Sequence, residues 1–217
     1  MPKQPDASLF ITTGCSHCPA VFDSLSRLVK EGKVGRLEVT NLSSRPQGAE
    51  TSIRSVPWCR IGPFELSGAQ SYTDLARWTE AATAGTGMCD YYSHLLEAGE
   101  LDKAVALIRT TPETLNTLVP LLATLDTPMA VRIGIGAVLE ILAEEKLISG
   151  AVEALLELTR SETPQIRADA CHYLGLSGDH RITNTLHTLL EDDDPEVREI
   201  AQESLETLKS GEERPTP

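Results

Sequence analysis

Two cysteines separated by two residues are the first candidates for chemistry in this chain. The stretch TTGCSHCPA, residues 12–20, contains Cys15 and Cys18 with His17 between them. Two thiols at this spacing can form a disulfide and exchange it with another thiol, or they can bind a metal ion as thiolates. An inert pair in a turn is the third possibility. The elements that position the two side chains help to decide between these three.

The two cysteines lie between a predicted strand and a predicted helix. SLFITT (8–13) is typical of a short strand, and residues 19–30 place apolar side chains at helical spacing. We therefore expect Cys15 at the helix N-terminus, where free N–H groups and the helix dipole stabilise an anion. Cys15 is predicted to be the nucleophilic thiolate, with a pKa below the usual value of about 8.5, and Cys18 is predicted to close the disulfide.

The segments that follow predict the rest of a small α/β domain. We expect strands over 36–41 and 64–66, an extended segment over 55–61, and helices over 47–54 and 72–84. The predicted order of elements is βαβαββα.

This arrangement resembles a minimal thioredoxin- or glutaredoxin-like domain over residues 7–85. The matching residues are the CxxC pair, the SVP at 55–57 and the stretch GAQSYTDL. The resemblance implies that the bond between Val56 and Pro57 is cis and that Pro57 faces the dithiol. It also implies that Val56 and Pro57 hold the substrate, while Trp58 beside them either faces the substrate or packs in the core.

The chain departs from this family at two positions near the cysteines. Gly14 stands where thioredoxins usually have Trp, and Leu9 stands where they bury an Asp. His17 is expected to compensate in part, because a protonated imidazole beside Cys18 would stabilise the Cys15 thiolate. Stabilising the reduced form makes the disulfide more oxidising.

A metal site is the weaker interpretation of the cysteines. Zinc takes about four ligands, and no second CxxC or pair of histidines follows at the usual spacing. The sequence implies no metal and no cofactor. Cys59 is expected to be a buried apolar residue, and Cys171 with His172 is expected to pack in a helical core.

Charge divides the chain into two parts. Residues 1–87 contain nine basic and eight acidic residues, whereas residues 88–217 contain ten basic and 24 acidic ones, within a net charge of −13. We predict two domains with these bounds, joined at the linker Gly85-Thr86-Gly87. The acidic second domain is expected to repel nucleic acid.

The second domain contains a repeat of about 34 residues. Leucine pairs recur at this period and end at Leu122, Leu156 and Leu190. Each is followed by a proline and then by an arginine after Val or Ile, at Arg132, Arg167 and Arg198. An alanine-containing helical pattern follows each arginine, so the predicted unit is a helical hairpin that stacks on its copies.

These units resemble HEAT repeats over residues 112–209. We expect the helical pair at 88–110 to act as a cap and the tail at 211–217 to be disordered. The resemblance implies an α-solenoid that binds a protein, and its arginines are expected to tie adjacent loops together. Residues 191–194 are predicted to be a solvated loop in which Asp194 caps the next helix.

The predicted fold class is therefore α/β plus all-α, a thioredoxin-like domain followed by an α-solenoid. The favoured function is a thiol–disulfide oxidoreductase whose repeats recruit a protein partner or substrate, with a basic surface if charge steers the encounter. One alternative is a non-catalytic redox-sensing adaptor. Another is a glutathione-dependent enzyme, which the 34-residue period and the LSGA at 66–69 disfavour.

The expected location is the cytoplasm. No apolar run is long enough to span a membrane, and MPKQPDASLF lacks the apolar core of a secretory signal. Five cysteines are also too few for a disulfide framework.

Overall fold

The computed structural model describes residues 3–44 and 53–212, with side chains up to residue 209. The chain forms two compact units, 1–87 and 88–217, each described by itself below. The helix expected over 47–54 lies almost entirely outside the described residues.

The first unit is built on a small mixed sheet. Its described elements are β1 (Asp6–Ile11), α1 (Cys18–Lys30), β2 (Arg36–Asn41), a 3-10 turn (Leu42–Ser44), β3 (Trp58–Ile61), β4 (Phe64–Ser67) and α2 (Tyr72–Ala84). The sheet order is β2-β1-β3-β4. β1 runs parallel to β2 and antiparallel to β3, and β3 and β4 form an antiparallel hairpin. β1 is therefore an interior strand with a hydrogen-bonded neighbour on each side.

Alternation along the strands determines which face of the sheet holds the core. Leu9 of β1 lies opposite Cys59 of β3, and both are buried, with exposures of 0% and 1%. The buried position of Cys59 agrees with the expectation from sequence. Helices α1 and α2 pack on the sheet and on each other. α1 buries one apolar side formed by Cys18, Val21, Leu25 and Leu28.

Local signals define both ends of α2. The Ser71 hydroxyl accepts the backbone N–H of Asp74 at 3.1 Å and so caps the first turn. Gly85 ends the helix in the left-handed region, with φ of 67°, where glycine is favoured because it has no Cβ.

The second unit is helical. Its described α-helices are α3 (Met88–Glu97), α4 (Leu101–Thr110), α5 (Met129–Glu144), α6 (Val152–Leu158), α7 (Pro164–Leu176), α8 (Thr183–Leu189) and α9 (Pro195–Glu212). The longer helices α5, α7 and α9 pack in succession, α6 packs on α7, and α8 packs on α9. α3 and α4 both contact α5. The unit is thus a stack of helical hairpins with one core running through it.

The stack differs from the sequence prediction between α4 and α5. Two 3-10 segments, Pro112–Thr117 and Val119–Leu122, stand where the first helix of a repeat was expected. Prolines near the start of each segment remove backbone donors and stop a regular α-helix from continuing through. At the other end of the unit, α9 continues to Glu212, so the first two residues of the tail expected to be disordered are helical.

All three repeated arginines bind the loop before their own helix, and two of them also connect neighbouring repeats, in line with the prediction that they tie adjacent loops together. Arg132 donates to two carbonyls of the preceding loop and pairs with Asp169 of the next repeat. Arg167 likewise donates to the loop before α7 and forms a bidentate pair with Asp192 at 2.7 and 2.8 Å. Arg198, in the last described repeat, donates to two carbonyls of the preceding loop at 2.6 and 3.0 Å.

Two local expectations for this unit need correction. Asp194 does cap α9, accepting the N–H of Glu196 at 2.9 Å, but Asp192 in the same loop is not solvated. Its side chain is 10% exposed, and the Arg167 guanidinium lowers the pKa of its carboxyl group. Cys171 is buried as predicted, whereas His172 is exposed because it lies on the outer side of α7.

We predict that Arg167→Ala lowers the free energy of unfolding by about 2–3 kcal/mol at neutral pH, because it leaves the Asp192 carboxylate buried without its partner. The folded-state pKa of Asp192 is depressed. The stabilisation is therefore complete above the unfolded pKa of about 3.9 and is lost as the pH falls through the folded value. Urea unfolding at neutral and acidic pH should show the effect of the substitution shrinking in acid.

Arg160→Ala is the matched control for this prediction. Arg160 pairs with Glu157 through side chains that are 74% and 71% exposed, so its loss should cost less than about 1 kcal/mol. Equal losses in the two variants would contradict the role assigned to Arg167, and so would a loss at Arg167 that does not depend on pH.

Candidate dithiol site

Cys15 and Cys18 form a disulfide in the turn between β1 and α1. Their sulfur atoms are 2.06 Å apart and their Cα atoms 5.5 Å apart. The two cysteines differ in access, because Cys15 is half-buried while Cys18 is 4% exposed. Of the two residues, Cys15 is therefore the more open to a group from outside.

The sequence predicts Cys15 at the N-terminus of α1, and in the structure Cys15 lies three residues before the first residue of this helix. The helix begins at Cys18 with His17 as its N-cap, and the chain bends through the residues between Cys15 and the helix. The bend brings the Cys15 sulfur back to the helix start, where it accepts the backbone N–H of Cys18 at 3.1 Å. The sulfur, which lies outside the helix, thus makes the expected contact with the helix N-terminus through one N–H group, that of Cys18.

Hydrogen bonds from the end of β2 hold the loop that leads to Cys15. The Thr13 N–H donates to the Ser43 hydroxyl at 2.9 Å, and the Asn41 amide donates to the Thr13 hydroxyl at 3.4 Å. Asn41 in turn accepts the N–H of Ser43 at 3.0 Å. Neither residue is predicted from the sequence, although polar residues at the carboxyl end of a strand parallel to β1 are a recognisable signal.

The segment before β3 approaches the same end of the sheet. The Val56–Pro57 peptide bond is cis, as the resemblance implied, and the Pro57 carbonyl accepts the N–H of Gly68 at 2.8 Å. Trp58 pairs with Phe10 in the antiparallel register of β3 and β1. Val56 and Pro57 directly precede β3, at the end of the sheet where β1 ends. Val56 is partly exposed and Pro57 is buried.

The other two predicted site residues, Trp58 and His17, differ in burial. Trp58 is 8% exposed and packs edge-on against Phe10, with ring centroids 5.2 Å apart. It is thus mainly a packing residue, and a substrate contact could involve only its small exposed edge. His17 is exposed and its side chain makes no capping hydrogen bond to α1, so its influence on the thiolate stays a prediction.

The remaining cysteines lie in environments that disfavour a thiolate. Burial raises the pKa of Cys59 to about 12 and that of Cys171 to about 11. Burial and the nearby Asp90 carboxylate also raise the pKa of Cys89. Each therefore stays protonated, and unreactive as a nucleophile, at neutral pH.

The described residues contain neither a cluster of metal-binding side chains nor a membrane-spanning helix. No group of three or more His, Cys, Asp or Glu side chains in residues 3–44 and 53–212 could hold a metal ion. In the same part of the chain, no helix combines the length and apolar character needed to cross a membrane.

Comparison with known proteins finds similarity in the second unit. Residues 152–216 match a family model described as HEAT repeats, a stretch that contains α6 to α9. Repeats of this kind stack into extended surfaces that commonly bind other proteins. No curated protein matches the chain. The match supports the repeats predicted from sequence and does not extend to the dithiol.

We predict that, in the reduced protein, Cys15 is the first thiol to react with iodoacetamide as the pH is raised. Cys15 is partly exposed and its sulfur accepts a backbone N–H, whereas Cys59 and Cys171 have raised pKa values. Brief alkylation over a series of pH values, followed by peptide mass mapping, gives the order of reaction. Earlier labelling of Cys89, the partly exposed thiol outside the pair, would contradict the assignment.

Proposed function

We propose that this protein is a thiol–disulfide oxidoreductase that acts on protein substrates. The observation that supports the proposal most is the unequal burial of the two cysteines at a strand-to-helix turn. Cys15 is reachable and accepts a hydrogen bond that would stabilise its thiolate, while Cys18 is shielded within bonding distance. This is the division between an attacking and a resolving thiol that disulfide exchange requires.

The reaction that we propose has two exchange steps. In the reductive direction, the Cys15 thiolate attacks one sulfur of a substrate disulfide, and the other substrate sulfur leaves as a thiolate that takes up a proton. Cys18 then loses its proton and attacks Cys15, which releases the second substrate sulfur and leaves the protein disulfide. Two electrons pass to the substrate. A small thiol or a dithiol protein must return two electrons to the pair, and the same steps in reverse oxidise a substrate.

The first unit supports this proposal by its topology. A parallel β1–β2 pair, an antiparallel β3–β4 hairpin and a cis-proline before β3 are the features that a thioredoxin-like domain over residues 7–85 would have. We assign Val56 and Pro57 to substrate binding, and their position directly before β3, at the end of the sheet where β1 ends, supports the assignment. An extended substrate segment would contact the partly exposed Val56.

We assign recruitment of the protein partner to the helical unit. Residues 88–217 hold ten basic and 24 acidic residues, and several of the basic ones pair within the unit, such as Arg109 with Glu145 and Arg167 with Asp192. The remaining excess of carboxylates favours a partner with a basic surface. A reducing compartment, the cytoplasm, suits a protein that keeps its other thiols free.

A redox-sensing adaptor is the second candidate function. The similarity to a known family covers the repeats and does not reach the cysteines. Binding without catalysis would depend only on the repeats, the part of the chain for which there is a family match. In an adaptor, oxidation of the pair would change partner binding, and no substrate would become covalently attached.

We predict that Cys18→Ser traps protein substrates on Cys15 as mixed disulfides, because the resolving thiol is absent. The tagged variant is incubated with cell lysate, alkylated, and analysed on non-reducing gels for adducts that dithiothreitol releases. Cys15→Ser is the matched control, since it retains a thiol in the same turn but lacks the accessible one.

Adducts on Cys18→Ser that are missing from Cys15→Ser would support the oxidoreductase. If neither variant yields adducts, or if both yield the same ones, exchange at Cys15 is refuted. The adaptor would then be the function to test, by comparing partner binding in the oxidised and reduced protein.

A further inference from the structure

The exposed side of α5 has a composition that its own fold does not explain. Met129, Ile133, Ala137, Glu140 and Glu144 follow one another at intervals of three or four residues. At about 100° per residue these positions fall within an arc of about 80°, and we call them the α5 stripe. We propose that the α5 stripe is the docking site for a basic amphipathic helix of a partner protein. The inference rests on the recruiting role proposed for the helical unit and not on the dithiol chemistry.

The apolar half of the stripe lies at the start of α5. Met129 and Ile133, one turn apart, are 71% and 66% exposed, and Leu125 in the preceding loop is 57% exposed. The opposite side of α5 already fills the core with Val131, Ile135, Val138, Leu139 and Leu142. Single exposed apolar side chains are common, but two on the same side of one helix turn, with a third four residues before them in the chain, are of the kind that interfaces use.

The acidic half of the stripe lies one to two turns further along, beyond the small side chain of Ala137. Glu140 and Glu144 are exposed, and neither forms an ion pair with a described residue. Both border an open depression whose other lining residues are Ala143, Leu176 and Thr207 of α5, α7 and α9. The aliphatic stem of a lysine or arginine can lie in such a depression while its charged end meets the two carboxylates.

The apolar and acidic halves of the α5 stripe together determine what kind of ligand fits it. Ile133 and Glu140 are seven residues apart on one helix, which is about 10 Å along its axis. A helical ligand with an apolar anchor and a lysine or arginine about two turns away matches both positions at once. The acidic charge of the unit disfavours an anionic lipid surface, and it also disfavours a second copy of this chain, which would bring carboxylates against carboxylates.

The test uses the full chain and a defined probe. A synthetic amphipathic helix of leucine and lysine is titrated into the isotopically labelled protein, and NMR shifts and fluorescence anisotropy report the binding site and the affinity. The same helix with glutamate in place of lysine is the control ligand. The titration is repeated at about 0.05 M and about 0.5 M salt, where screening differs strongly.

Matched variants locate the binding site. Met129→Gln with Ile133→Gln removes the apolar half, and Glu140→Lys with Glu144→Lys reverses the acidic half. Glu199→Lys with Glu203→Lys makes the same charge change at the same spacing on the exposed side of α9. Thermal unfolding of each variant verifies that the fold is retained.

We expect the lysine helix to bind and to shift resonances of α5, and each α5 variant to weaken binding by roughly tenfold or more. The α9 variant should bind within about threefold of wild type, once long-range charge is screened at the higher salt. If the probe does not bind, if the glutamate helix binds equally well, or if the α5 and α9 variants lose equal affinity, the inference is overturned. None of these outcomes bears on trapping at Cys15, so the oxidoreductase proposal is judged separately.

Discussion

Hydrogen bonding of β1 to two strands at once determines where the dithiol lies. Because β1 is an interior strand, its carboxyl end lies between two neighbouring strands, and the turn to Cys15 starts there. On one side the end of β2 supplies Asn41 and Ser43, which hold the loop before Cys15. On the other side β3 begins opposite Phe10, near the end of β1, and the cis Val56–Pro57 bond directly precedes β3. A one-residue slip in either pairing would exchange the buried and exposed faces and move the turn.

In the second unit, the same ion pairs that join the repeats also shape its surface charge. Arg132 and Arg167 each satisfy carbonyls of one loop and a carboxylate of the next repeat, so their positive charges are neutralised inside the stack. Carboxylates such as Glu140 and Glu144 remain exposed without such partners among the described residues. Stability of the stack and an acidic exterior thus arise from one arrangement of charges. Under our proposal, the exterior attracts basic partners to a protein whose first unit then exchanges disulfides with them.

Much of this architecture could be predicted from sequence because local patterns encode it. The helix over 72–84 agrees residue for residue, and the repeat period located the long helices α7 and α9. The failures involve contacts between distant segments. The support of Thr13 by Asn41 and the pairing of Asp192 with Arg167 each depend on neighbours that periodicity cannot reveal. The spacing of the cysteines predicted that they could form a disulfide, but their unequal burial required the fold.

The reduction potential of the Cys15–Cys18 pair is the most direct test of the central claim. The protein is equilibrated in redox buffers of graded potential, and the fraction of free thiol is measured after acid quenching and alkylation. An exchanging dithiol should titrate reversibly as one two-electron couple between about −270 and −120 mV, the range of thiol–disulfide oxidoreductases. A potential below about −300 mV, typical of a structural disulfide, would contradict the account, and so would a pair that never oxidises.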